Sequence, residues 1–132
     1  MTAFIHELHP RFRDLDALGH VNNAVMVTFL EQARFQWWRG YLAGRSFERE
    51  GFLIARVEAD YRLPILLEDL VRIELRCTRI GNSSFDCAYR VTRGADGAVF
   101  AEGKTVQVML DFKTNRPAPL TAEARAWLEM QA

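Results

Sequence analysis

The chain has 132 residues, which fits one compact domain over 1–132 with room for a real hydrophobic core. With 49% hydrophobic and 26% charged residues, its composition is that of an ordinary globular protein. Seventeen basic residues balance seventeen acidic ones, which argues against nucleic-acid binding through whole-chain charge and leaves only a local patch.

Nearly all the positive charge is arginine, Lys104 and Lys113 being the lysines. Arginine suits planar recognition of phosphates, but it also follows genome composition, and that is the simpler reading. The opening MTAFIHELHPRFRD carries acids early and no apolar core, so it does not read as a secretory signal. No apolar run approaches the ~18 residues of a membrane span. A cytoplasmic location is therefore expected, with Cys77 and Cys87 as free thiols.

Residues 4–12 read as a first strand. It runs into DLDALGHVNNA at 14–24, a polar turn containing two acids, a glycine, a histidine and two asparagines. From 22 to 39 the pattern is helical, with no Gly or Pro, and Gly40 and Gly44 mark its end. The first half of this helix is apolar nearly all round, which predicts burial on most sides: only Thr28 interrupts Ala24, Val25, Met26, Val27, Phe29 and Leu30.

Strands follow. Residues 53–63 stop at Pro64, and 70–80 alternate, with Val71, Ile73, Leu75 and Cys77 on one face. Gly81-Asn82 predicts a hairpin into 84–92, where Phe85, Cys87, Tyr89 and Val91 continue the apolar side. A second turn at 94–97 leads into a long strand over 99–112. The tail from Thr121 reads as a short helix with Thr121 as its cap. The outcome is an α+β layer: one helix, and an antiparallel five-stranded sheet that must curl around it. Such a sheet leaves edges exposed, and pairing them across a two-fold axis would hide them, so a homodimer is a physical expectation.

DALGHVNNA at 16–24, followed by LEQAR at 30–34, resembles the hotdog-fold acyl-CoA thioesterases of the 4-hydroxybenzoyl-CoA thioesterase-like branch. VEADYRLPILLED at 57–69, RIGNSSF at 79–85 and AEGKTVQVMLD at 101–111 extend the similarity nearly end to end. The resemblance implies a hotdog fold, in which the sheet wraps a long central helix. It also implies an acyl-CoA substrate, no metal or cofactor beyond the substrate's own coenzyme A, and a homodimer or homotetramer with active sites at the subunit interface.

Thioester hydrolysis needs a carboxylate that attacks or activates water, and donors for the oxygen that becomes negative. The resemblance places the carboxylate at Asp16 and the donor at the backbone N–H of Asn23, in the first turn of the helix. A helix N-terminus offers unpaired N–H groups and partial positive charge, so that placement has a physical basis. Without the resemblance, Asp14 and Asp16 read equally well as turn residues; with it, Asp14 takes a structural or orienting role. Gly19 suits a positive φ or a close ligand approach. One of Asn22 and Asn23 is expected to cap the helix while the other positions water or substrate.

His20 has two readings, acid–base chemistry or holding the loop. Plant acyl-ACP thioesterases resemble this stretch and use an acid and a histidine four apart with an asparagine between. Here Asp16 and His20 match, but Leu18 replaces that asparagine, a departure from the full triad. Met26 stands where relatives commonly carry a tyrosine, and shapes either an acyl pocket or the core. Glu31 matches a recurrent family glutamate and is a reserve nucleophile, although pairing with Arg34 is the simpler reading. For the coenzyme, the resemblance points to the turn at 79–84, with Arg79, Ser83 and Ser84 near phosphate, and to Arg56 and Tyr61 along the same channel. An ordinary hairpin turn is the alternative there.

His6 and His9 would point to opposite faces of a strand and lack HExxH spacing, so no metal site is expected. Cys77 and Cys87 lie nearly symmetrically about the Gly81-Asn82 turn, on apolar faces, and read as buried thiols. Two other functions stay open from sequence: a non-catalytic acyl-CoA binding or sensing module, and a hotdog dehydratase, whose characteristic hydration motif is missing.

Overall fold

A computed structural model describes residues 3–131, with residues 48 and 49 described by their backbone alone. Strand β1 (Phe4–Leu8) leads through a single 3-10 turn at Phe12–Asp14 into helix α1 (Asn23–Leu42). A short helix α2 (Phe47–Glu50) precedes four long strands: β2 (Phe52–Tyr61), β3 (Val71–Ile80), β4 (Ser84–Arg93) and β5 (Val99–Asp111). A two-residue strand β6 (Arg116–Pro117) and helix α3 (Ala122–Glu129) end the chain. The main sheet runs β1-β3-β4-β5-β2, antiparallel throughout, with β6 attached to the end of β5.

The alternating residues of β3 and β4 behave as their pattern predicts. Val71, Ile73, Leu75 and Cys77 are buried, as are Phe85, Cys87, Tyr89 and Val91 across the hairpin. Helix α1 lays Met26, Phe29, Leu30, Ala33, Trp37, Trp38 and Tyr41 into this core, the three-and-four spacing of a single helical stripe. Trp38 stacks on Phe85 with ring centroids 5.5 Å apart, and Trp127 of α3 closes on Trp37 at 5.0 Å. Where α1 crosses β5, a Cβ on Gly103 would lie 3.1 Å from Leu30 and 3.2 Å from the Glu58 carbonyl, so glycine permits the close approach.

Four expectations change. Strand β1 stops at Leu8 rather than 12, because the chain turns at Pro10 into the 3-10 turn. Helix α1 continues through Gly40, because Tyr41 beyond it is buried against Trp38 and Trp127. Gly40 itself packs on Trp127, whose ring would lie 3.3 Å from an added Cβ. The short pairing of β6 with Leu110 and Asp111 adds a sixth strand. The helix is also not buried on most sides by its own chain: Ala24, Thr28, Glu31, Gln32 and Phe35 are exposed. One sheet covers one face of a helix, and the other face of α1 is open.

Candidate functional site

The polar stretch at 14–24 folds into a closed loop before the helix. Leu15 and Val21 form an isolated antiparallel bridge, and the Asp16 N–H donates to the His20 carbonyl at 2.9 Å. At the loop tip Gly19, with φ of 83°, donates its N–H to the Asp16 carbonyl at 3.0 Å. That left-handed conformation disfavours any side chain with a Cβ.

The two aspartates divide sharply. Asp14 is buried at 3% exposure; it accepts from the Arg11 N–H at 2.7 Å and pairs with the Arg11 guanidinium at 3.1 Å. Burial pushes its carboxyl up, but the Arg11 hydrogen bonds and the charges of Arg11 and Arg13 hold it below the usual carboxylate range. Asp14 also takes the Asn22 N–H on its backbone carbonyl at 2.9 Å, so it is a structural post beneath the loop. Asp16 is exposed, and its Oδ1 accepts the Leu18 N–H at 2.9 Å. Leu18 therefore orients the carboxylate through its backbone, a role that any residue with an N–H can fill.

At the start of α1, Asn22 is the cap. Its Oδ1 accepts from Ala24 N–H at 2.8 Å, and its carbonyl takes the N–H groups of Val25 and Met26 at 2.9 and 3.2 Å. Among the described residues the Asn23 N–H has no acceptor. Of the four N–H groups that lack a partner in the helix ladder at this end, those of Ala24 and Val25 are satisfied by Asn22 and that of Asn22 by the Asp14 carbonyl, and the Asn23 N–H is open.

These groups line one cavity of about 460 Å³. The loop contributes Asp16, Leu18, His20 and Asn22; the first turn of α1 contributes Asn23 and Met26; the end of β2 and the segment after it contribute Tyr61 through Ile65. The Val21 N–H donates to the Ile65 carbonyl at 2.9 Å and ties the loop to that far wall. Met26 is both core, at 3% exposure, and cavity lining. The Asp16 and His20 side chains share the cavity but are not hydrogen-bonded to each other. Arg62, Leu63, Pro64 and Ile65 were absent from the sequence-predicted site; Pro64, read there as a strand stop, was the available signal that the chain leaves the sheet at this point.

The remaining predicted residues assemble elsewhere. Arg56 and Arg79 line a separate depression of about 240 Å³ with Glu58, Asp86, Lys104 and Val106. The Arg79 Nη2 donates to Ser84 Oγ at 2.8 Å and to Asp86 Oδ1 at 2.9 Å, while Lys104 approaches Asp86 at 3.4 Å and Arg56 pairs with Glu58. Arg79, through its hydrogen bond, holds the Asp86 carboxyl low against the opposing effect of burial, helped by Lys104. Ser83 lies in the same turn and accepts the Met109 N–H on its carbonyl at 2.8 Å. Within one chain, the structure separates this cluster from the cavity that holds Asp16, Asn22, Asn23 and Tyr61.

Arg34 does not pair with Glu31. It is buried at 6% exposure and donates to the Tyr89 hydroxyl at 3.1 Å, heading a chain that continues to Thr105 and Gln107. The helix points Arg34 into the sheet, while Glu31 is exposed on the flank of α1, lining a groove with Phe35 and Phe47. Cys77 and Cys87 face each other in the β3–β4 register as buried free thiols, and burial pushes Cys77 up to about 11. Among the described residues no cluster of three potential metal ligands forms, and no helix is long and apolar enough to cross a membrane.

Residues 10–128 match the model of the thioesterase-like superfamily. The chain is 32% identical to the long-chain acyl-CoA thioesterase FadM of Escherichia coli K12, over 87% of this chain and 89% of that protein. It is 25% identical to the acyl-CoA thioester hydrolase YbgC of Escherichia coli O6:H1, over 90% of each. Among solved structures, a thioesterase from Thermus thermophilus complexed with coenzyme A and Zn superposes with a TM-score of 0.87. It is 38% identical, covering 99% of this chain and 96% of that one.

Proposed function

The chain belongs to the thioesterase-like superfamily, and on that premise we propose how its own residues hydrolyse an acyl-CoA. It is a thioester hydrolase with a hotdog fold, like its relatives. The observation that carries the mechanism is the meeting of an exposed carboxylate, Asp16, with the unaccepted Asn23 N–H in one cavity. A thioester carbonyl oxygen placed on that N–H gains a donor that strengthens as the oxygen becomes negative. Asp16 either attacks the carbonyl carbon, breaking the C–S bond to release the coenzyme A thiolate and leave a mixed anhydride that water then cleaves, or takes a proton from the attacking water. His20 lies on the same wall and is available to hold water or the leaving sulfur. No metal or added cofactor enters either route.

Met26, Val21 and Leu63 give the cavity apolar walls for the acyl group. The coenzyme's phosphates are assigned to the cluster of Arg56, Arg79 and Lys104, with Ser83 and Ser84 at its turn; three cations there face two carboxylates. Strand β2 is an edge with Leu53 at 50% and Val57 at 41% exposure, and beside it the outer face of α1 is open. A second copy covering this edge gives the homodimer, or homotetramer, in which cavity and cation cluster from different copies serve one substrate. The cytoplasm is the compartment this reading implies.

Release of free thiol from a panel of aliphatic and aromatic acyl-CoAs, with a chelator present, tests the reading. Turnover of at least one member is expected. Tight binding without thiol release across the panel would instead identify a sensing module.

A further inference from the structure

We propose that Tyr61 is a positioning residue for hydrolysis, holding the oxyanion-binding turn of α1 against the sheet; the proposal rests on the assignment of the Asn23 N–H as oxyanion donor. The Tyr61 hydroxyl donates to the Asn23 carbonyl at 2.7 Å, bridging the last residue of β2 and the first residue of α1. Asn23 therefore carries both groups that matter: its N–H faces substrate, and its C=O is gripped. Fixing that carbonyl restrains the backbone on either side of the Asn23 Cα, and with it the direction of the N–H.

The other hydrogen bonds of the first turn cannot do this. Asn22 satisfies Ala24, Val25 and Met26 within the turn, and its own N–H reaches the Asp14 carbonyl at 2.9 Å, so these bonds tie the turn to its own loop and not to the sheet. Two hydrogen bonds cross the cavity from the loop and helix side to the β2 side: Val21 N–H to Ile65, at 2.9 Å, and Tyr61 to Asn23. The Tyr61 end is firmly based, since Tyr61 pairs with Ala101 on β5 and the N–H groups of Arg62 and Leu63 both reach the Phe100 carbonyl, at 2.8 and 3.1 Å. Phe100 is fully buried.

Tyr61 was read from sequence as a residue lining the substrate channel. Its ring does line the cavity, 44% exposed, but its one hydroxyl proton is already committed to Asn23. The hydroxyl therefore acts on geometry rather than on substrate affinity. Because a displacement of an ångström at a reacting centre can cost up to about a hundredfold in rate, a loosened donor should appear in kcat.

The test is steady-state kinetics of wild type, Tyr61→Phe and Asp16→Asn on the best acyl-CoA, with melting curves for each. Tyr61→Phe keeps the ring, so KM is expected to stay within about twofold and the pH profile to keep its shape, while kcat falls about tenfold. Tyr61→Ala should lower kcat further and raise KM, since the wall is lost as well. An unchanged kcat for Tyr61→Phe overturns the proposal, and so does a raised KM at full kcat, which would make the hydroxyl a substrate contact. If Asp16→Asn is inactive while Tyr61→Phe is normal, only this inference falls; if Asp16→Asn turns over normally, the site assignment falls and takes this inference with it.

Discussion

Two aspartates two residues apart illustrate what residue type leaves undecided. Asp14 is sealed under the loop by Arg11, whereas Asp16 opens into the cavity, and nothing in the spelling DLD separates them. The partition follows from the 3-10 turn, which the strand reading of 4–12 did not contain. Arg34 was misdirected for a similar reason: spacing of three along a helix favours Glu31, but only the sheet supplies Tyr89. Charge pairing at this scale has a pH signature. The folded Asp86 carboxyl is held below its ordinary value by Arg79 and Lys104, so its contribution to stability is present above the unfolded value of 3.8. That contribution is lost as pH falls below 3.8 and through the folded value. Asp86→Asn should lower unfolding free energy at pH 7 by about 1–2 kcal/mol, the partners being half exposed. It should also flatten the acid limb of a urea-melt series, and an identical acid limb in the variant would refute the assignment.

Elements were more legible than residues, because periodicity is a statement about faces. The alternation in β3 and β4, the Gly81-Asn82 turn and the Thr121 cap, whose hydroxyl accepts from Ala124 at 3.0 Å, all stand where the pattern put them. Helix α1 was legible in type but not in surroundings: its apolar first half exceeds what one sheet covers, leaving Val25 and Val27 half-buried, and Phe35 further along is 51% exposed. The same excess appears along β2, a ten-residue edge with apolar side chains in the open. An edge of that length invites pairing, and a charge placed on it should forbid the pairing. The double substitution Leu53→Lys with Val57→Lys is expected to sediment as a monomer where wild type sediments as a dimer or tetramer. A wild-type monomer at micromolar concentration, or a fully associated variant, would remove β2 from the interface.

At the scale of the whole molecule, the fold brings a strand end, a capped helix and a glycine-tipped loop to one place. The hotdog architecture was recognisable from motifs spread along most of the chain, and the match over residues 10–128 agrees with it. The site was only half legible. The motif at 16–24 led to one wall of the cavity and the resemblance named Tyr61 opposite, but the rest of that wall at 62–65 emerges only when β2 is laid beside β5 and the chain turns at Pro64 toward Val21. Arg56 and Arg79, grouped with the cavity by resemblance, form their own cluster in the single chain, with Ser84 hydrogen-bonded to Arg79.

The central claim is that Asp16 performs the chemistry while the fold around it supplies binding. It is tested most directly by comparing Asp16→Asn with wild type for turnover of the preferred acyl-CoA and for binding of a non-hydrolysable thioether analogue. Asp16→Asn is expected to lose about 10²–10⁴-fold in kcat, with analogue affinity and melting temperature close to wild type. Retention of near-normal turnover by Asp16→Asn would contradict it.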